Sequence, residues 1–322
     1  MKERIVWIDI AKAFGIYLVV LGHSLQQDMP IESGMRDLIY IFHMPLFFFV
    51  SGYLFNVKGD FKAYMQKNIY SLLIPYVFLN VVAFILWLPV YIHGNHDVLE
   101  KIVNFVIGDS HAPAGPAWFL LCLFWVRIGA YWLHRVDTKI QVVAIIFCCI
   151  LSYYFPIRLY WCLDSTFMAL PFFMVGVYFK TFEKEGYLKF KFSIFTLFIF
   201  LFATIGISLL QENTDVNYRI MGLYPLLYFP GAIIGVLFVY NGSLLIKDEN
   251  RLISVFASGS IIIMGLHGCF NSYLCAPFGV MLPLTITDHW AYPVVMSLLV
   301  LFVMYYPILF IQKYFSRFIG GR

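Results

Sequence analysis

The sequence predicts an all-α integral membrane protein with ten transmembrane helices, both termini on the cytoplasmic side, and a polar interior cavity or tunnel. Composition is the first ground. Of the 322 residues, 61% are hydrophobic and 12% are charged, about half the 25% that a soluble domain carries. So little charge cannot wet the surface of a globule of this size. That excludes a soluble enzyme, a disordered chain, a coiled coil and a nucleic-acid binder. Apolar runs of helical length are the second ground, and the placement of Lys and Arg is the third.

A helix needs about 20 mostly apolar residues to cross a bilayer. Stretches that meet this requirement run roughly over 5–25, 37–55, 69–92, 116–133, 139–156, 160–179, 191–210, 219–240, 252–275 and 291–314. They are too continuous for barrel strands, which would alternate. The first run carries Asp9 and Lys12 and lacks a small-residue cleavage site after Leu25, so it reads as an uncleaved span. The second and third runs hold Pro45 and Pro75, which bilayer-spanning helices tolerate. Between the third and fourth lies the longest loop, in which Val98 to Ile107 has the pattern of a short interfacial helix. The remaining runs follow one another with short connections. Residues 1–322 therefore read as one membrane domain. The six cysteines lie in apolar runs without metal-ligand spacing and read as small buried hydrophobes.

Lys and Arg concentrate on the cytoplasmic side of membrane proteins. With the N-terminus inside, 16 of the 22 fall on inner segments and 4 on outer loops: Arg36, Lys101, Arg158 and Arg219. Lys12 and Arg127 lie within spans. One missed span would scramble this alternation.

Ionisable groups inside spans are costly and point to function. Here they are Asp9, Lys12, His23, His43, Arg127, Asp164 and His267. At 1.5 Å rise per residue, His43 lies roughly 9 Å below the outer edge and His267 roughly 22 Å up from the inner one. His23 lies in the outer third of the first span, so three histidines from three spans share a level. Asp164 is close to that level, while Asp9 and Lys12 lie in the inner half. Asp9, Lys12, Ile16 and His23 share one helical face, and Lys12 is about 16 Å from His23. Ser260, His267 and Asn271 share another. Each residue also has a structural reading. Lys12 can snorkel, His43 can bond a carbonyl near Pro45, His267 can join helices, Asp164 can cap a helix, and Arg127 can pair with an acid. No Ser-His-Asp or His-Glu-x-x-His pattern is present, and no metal is expected.

The runs Ile8-Asp9-Ile10-Ala11-Lys12 with Leu21-Gly22-His23-Ser24, and Phe42-His43-Met44-Pro45-Leu46-Phe47-Phe48 through Gly52-Tyr53, resemble the first two spans of the membrane acyltransferase-3 family. Leu72-Leu73-Ile74-Pro75-Tyr76, Pro116-Ala117-Trp118-Phe119-Leu120 and Gly259-Ser260 leading to Leu266-His267 resemble later family segments, in family order. The chain is similar to the short branch that includes fucose 4-O-acetylase-like proteins.

The resemblance implies an O-acetyltransferase in the cell (inner) membrane. Acetyl-CoA is its donor co-substrate, and a carbohydrate or lipid-linked glycan is its acceptor. In the family's first-span motif an arginine precedes an essential histidine by eleven positions, and Lys12 and His23 occupy those places here. The family's arginine pair before the third span is absent, and Asn68 and Ser71 stand there beside Lys67. The expected assignment is His23 as base or acyl carrier with His43 and His267 beside it. Lys12, Lys67 and Arg127 are expected at the coenzyme phosphates, and Ser24, Asp164 and Asn271 at the acceptor. Two alternatives use the same residues: a proton-coupled transporter with a histidine relay, although no internal repeat is evident, and a non-catalytic partner in polysaccharide export.

Overall fold

The computed structural model describes residues 5–57, 59–94, 97–187, 193–248 and 250–320. Lys2, Arg4, Lys58, Lys189, Lys191 and Arg322, six of the cations assigned to the inner side, lie outside the described residues. Among those described, the chain is helical. Its one pair of extended residues is an isolated bridge between Asp215 and Ile220.

The helices are α1 (Val6–Gly22), α2 (Pro30–Tyr40), α3 (His43–Tyr53), α4 (Phe61–Asn68), α5 (Ile74–His93), α6 (Val98–Ile107), α7 (Trp118–Leu133), α8 (Thr138–Tyr154), α9 (Ser165–Lys184), α10 (Ile194–Ser208), α11 (Pro225–Leu245), α12 (Arg251–Ser258), α13 (Ser260–Met281), α14 (Leu284–Thr287) and α15 (Ala291–Tyr314). Every stretch proposed as a span contains helix. By length and composition five helical runs are able to cross a membrane: Phe61–His93, Gly115–Leu133, Tyr160–Lys184, Pro225–Leu245 and Ala291–Tyr314. The pair Arg251–Ser258 and Ser260–Cys275, bent by 85°, makes a sixth. Thr138–Tyr154 and Ile194–Ser208 are apolar but shorter. With the long apolar flanks exposed on α8 (Val143, Phe147) and α10 (Phe195, Phe202), this is a multi-pass membrane protein, because water would not tolerate such surfaces.

Two expected spans are broken. In the second, the helix stops at Tyr40 and restarts at His43. Pro45 explains the break. It has no amide to give to the Ile41 carbonyl four residues back, and its ring would clash there. In the first turn of a new helix the missing amide costs nothing, so α3 begins just ahead of Pro45. In the ninth, the chain turns between α12 and α13 at Gly259, where Ile308 of α15 packs against the glycine. The expected helix at Val98–Ile107 is present as α6, capped by Asp97, which accepts from the Leu99 and Glu100 amides at 2.9 and 3.2 Å.

Helix α1 lies at the centre and packs on α3, α11, α12, α13 and α15. Its Ala11, Ile16 and Val20 are fully buried. The α3–α9 contact is the most intimate. Gly52 faces the Phe173 carbonyl and Gly176 faces the Phe49 carbonyl, so backbone meets backbone at both points. This crossing fixes α3, and with it the helix start that carries His43.

Candidate active site

A cavity of about 420 Å³ opens at the end of the bundle where the chain crosses between α6 and α7 and between α10 and α11. That is within the range of roughly 300–1,000 Å³ usual for small-molecule sites. His23, His43 and His267 all line it, so the three histidines placed at one level by helical rise meet at one site. The His23 and His267 rings lie 5.2 Å apart between centroids. Tyr40 bridges the group, 6.1 Å from His23 and 4.8 Å from His43.

Each histidine is held by backbone carbonyls one turn back along the chain. His43 is the first residue of α3, and its Nδ1 reaches back across the break to the Ile39 carbonyl of α2 at 2.9 Å. His267 Nδ1 donates to the Ile263 and Met264 carbonyls at 2.9 and 3.1 Å. A carbonyl only accepts, so Nδ1 is the donor in both rings, and in the neutral imidazole Nε2 is then the acceptor. His23 caps the C-terminus of α1, with its amide on the Val19 carbonyl at 3.2 Å. Unlike His43 and His267, which are buried, its side chain is exposed, and the surface it exposes is cavity wall.

The other expected site residues divide. Asn271 lines the cavity and accepts from the Cys275 thiol at 2.9 Å. Ser24 turns away from it, donating to the Val20 carbonyl at 2.9 Å and meeting Ser297 of α15 at 3.4 Å. Asp164 is fully buried behind the site and pairs with Arg158 at 3.2 Å and Arg219 at 2.9 Å. Lys12, Lys67 and Arg127 are not part of the cavity wall. On α1 the wall extends down to Val19, and Ile16 beneath it is fully packed. Arg127 of α7 donates to Asn68 Oδ1 at 3.4 Å and Ser71 Oγ at 3.3 Å. A guanidinium from another helix thus lies against the two positions where the family pattern places its arginines.

The sequence reading missed the part of the wall made by Asp215, Asn217 and Tyr218, in the connection between α10 and α11. This loop is built. Gln211 closes its base with a pair of bonds to the Tyr224 backbone, at 2.6 and 3.0 Å. Asp215 and Ile220 exchange backbone bonds at 2.8 Å. Arg158 donates to the Asn217 side chain at 2.7 Å and also to its carbonyl, which Ser165 reaches at 2.6 Å. Asp164 therefore serves the site at one remove, by holding the two arginines that hold the loop. Burial raises the Asp215 carboxyl pKa from its ordinary value, against the opposing pull of the Asn217 and Tyr218 amides. The segment Gln211 to Arg219 is dense in polar residues, but so is any exposed connection, and nothing in it flags Asp215. Trp87 and Trp118 complete the wall with aromatic rings. Trp118 lay in a family-like segment of the sequence, and Trp87 only in an expected span.

Residues 5–312 match the model of a family described as acyltransferase domain, Acyl_transf_3. The chain is 25% identical over 277 residues to the nodulation protein NolL of Mesorhizobium japonicum, covering 81% of this chain and 65% of that protein. It is 28% identical over 152 residues to NolL of Sinorhizobium fredii, covering 44% of this chain and 39% of that one. The matches thus span less than two thirds of these relatives' own lengths. No solved structure matches the chain.

Proposed function

The chain belongs to the acyltransferase-3 family, and from that premise we propose that it transfers an acetyl group from cytoplasmic acetyl-CoA to a hydroxyl of a surface or lipid-linked carbohydrate. The observation that carries this reading is the meeting of three imidazoles in one cavity, two of them with Nδ1 engaged by backbone carbonyls. Acyl transfer to an alcohol needs a base for the hydroxyl proton and support for the oxyanion. His23 is the base in this reading. Its imidazole takes the acceptor's proton as the alcohol oxygen bonds to the thioester carbonyl carbon. The tetrahedral adduct then collapses, the C–S bond breaks, and the coenzyme thiolate recovers the proton from the imidazolium. His43 and His267 orient the acceptor and the base.

In this reading the coenzyme phosphates bind on the inner side, to Lys12 of α1, Lys67 of α4 and Arg127 of α7, which favour polyanions. From there the donor arm has about 16 Å to climb to His23 and must part the packing around Ile16. In this reading the ten helical stretches cross the inner membrane with both termini inside, and the histidine cavity faces outward. The positive-inside count supports that orientation.

The test is reconstitution of the purified protein in proteoliposomes with acetyl-labelled coenzyme A and a glycan acceptor. The wild type should acetylate the glycan, and His23→Ala should lose about 10²–10⁴-fold in rate at equal incorporation. Undiminished transfer by His23→Ala would remove the base from α1. Glycan flux without acetylation would favour a transporter.

A further inference from the structure

The loop between α10 and α11 brings a carboxylate to the wall that the histidines share. The geometry of that carboxylate is asymmetric. Oδ1 of Asp215 accepts both nearby amides, from Asn217 at 2.7 Å and Tyr218 at 3.4 Å. The turn is satisfied by one oxygen, and among the described residues no donor is hydrogen-bonded to the other, on a residue that lines the cavity. The loop cannot easily carry Asp215 away. It is closed at its base by Gln211, tied to α2 by the Asn213 amide on Asp37 at 3.0 Å, and clamped through Asn217 by Arg158. Tyr218 is bonded to Ser110 of the neighbouring connection at 2.6 Å, so the two loops meet over the cavity.

We propose that Asp215 is the specificity-determining residue of the acceptor site, and that it selects an uncharged polyhydroxyl unit over one bearing a carboxylate. A carboxylate oxygen on a preorganised turn accepts hydroxyl protons in charge-assisted hydrogen bonds, and a carboxylated ligand meets it with like charge. Trp87, Trp118 and Tyr218 supply apolar faces for the C–H surfaces of a sugar ring. Arg36, the cation of α2, stacks on the Tyr40 ring at 4.0 Å outside the wall, and its charge and that of Arg158 act on Asp215, favouring its ionised form. A site of this kind binds a ligand lacking the hydroxyl less well, because a partly buried acceptor oxygen is then covered without a partner. The proposal rests on the acyl-transfer reading only in calling the ligand an acceptor. The recognition itself needs no acyl donor.

The discriminating variant is Asp215→Asn. Its amide oxygen can still take the Asn217 and Tyr218 protons, so the turn is kept while the free oxygen and its charge are replaced. Saturation-transfer NMR on the purified protein in detergent, without acetyl-CoA, would titrate the methyl glycoside of a neutral hexose and that of the corresponding uronic acid. The wild type should bind the neutral glycoside at least tenfold more tightly. Asp215→Asn should weaken neutral binding roughly 10- to 100-fold, the range for a hydrogen bond to a charged group, and should narrow the gap between the two sugars. Equal neutral binding by both proteins, a wild-type preference for the uronic acid, or no binding of either glycoside would each overturn the proposal. Glycoside binding that follows Asp215 with no acetyl transfer in proteoliposomes would overturn the acyltransfer reading and leave this one standing.

Discussion

Replacing Gly52 by alanine tests whether the α3–α9 crossing holds the site together. A Cβ at position 52 would lie 1.9 Å from the Phe173 carbonyl oxygen, where ordinary contact begins at 3.4 Å. The shortfall is 3.4 minus 1.9, so the two helices would have to part by about 1.5 Å at that point. The obstacle is backbone, which cannot swing aside as a side-chain tip can. Overpacking a close-packed interior costs typically 1–3 kcal/mol, and the upper end applies here. The same strain tilts α3, whose first residue is His43. Detergent-solubilised Gly52→Ala should therefore melt roughly 5 °C or more below the wild type and lose transfer activity with it. Gly176→Ala, whose Cβ would lie 2.1 Å from the Phe49 carbonyl oxygen, should behave alike. Gly34→Ala on α2 is the control, since nothing lies within 4 Å of its added carbon. If Gly52→Ala melts with Gly34→Ala, the crossing does not constrain the fold and the argument fails.

Asp164→Asn removes the partner of two arginines in a buried cluster and should cost about 3–5 kcal/mol. It should be seen as a lower melting temperature and faster proteolysis between 211 and 224, and loop cleavage at the wild-type rate would contradict it. His267→Ala should slow acetyl transfer by less than His23→Ala does, measured at matched membrane levels. The reverse order would move the proton acceptor to α13. In intact cells, cysteine at position 111 should react with an impermeant maleimide, and cysteine at position 186 only after permeabilisation. Labelling of both on one side would refute the ten-span topology.

The histidine cavity was legible because its signal is local arithmetic. Helical rise fixes depth, and three imidazoles at one depth in a small bundle have few places to go. The broken second span was legible in principle, since Pro45 denies the Ile41 carbonyl its partner. The run Ile39 to Val50, apolar but for His43, concealed the break, because hydropathy registers composition and ignores missing amides. The Asp215 loop was not legible at all, and the reason lies in pairing across distance. Read along the chain, Arg158 and Arg219 are two outer-loop cations and Asp164 is an acid at the mouth of a span. In the fold, both guanidiniums converge on that one fully buried carboxylate. One of them then has donors to spare for Asn217, 59 residues on in the sequence. Polar residues in a connection default to solvent. Here the buried charge cluster turns them inward, and it is formed by groups that no short window contains.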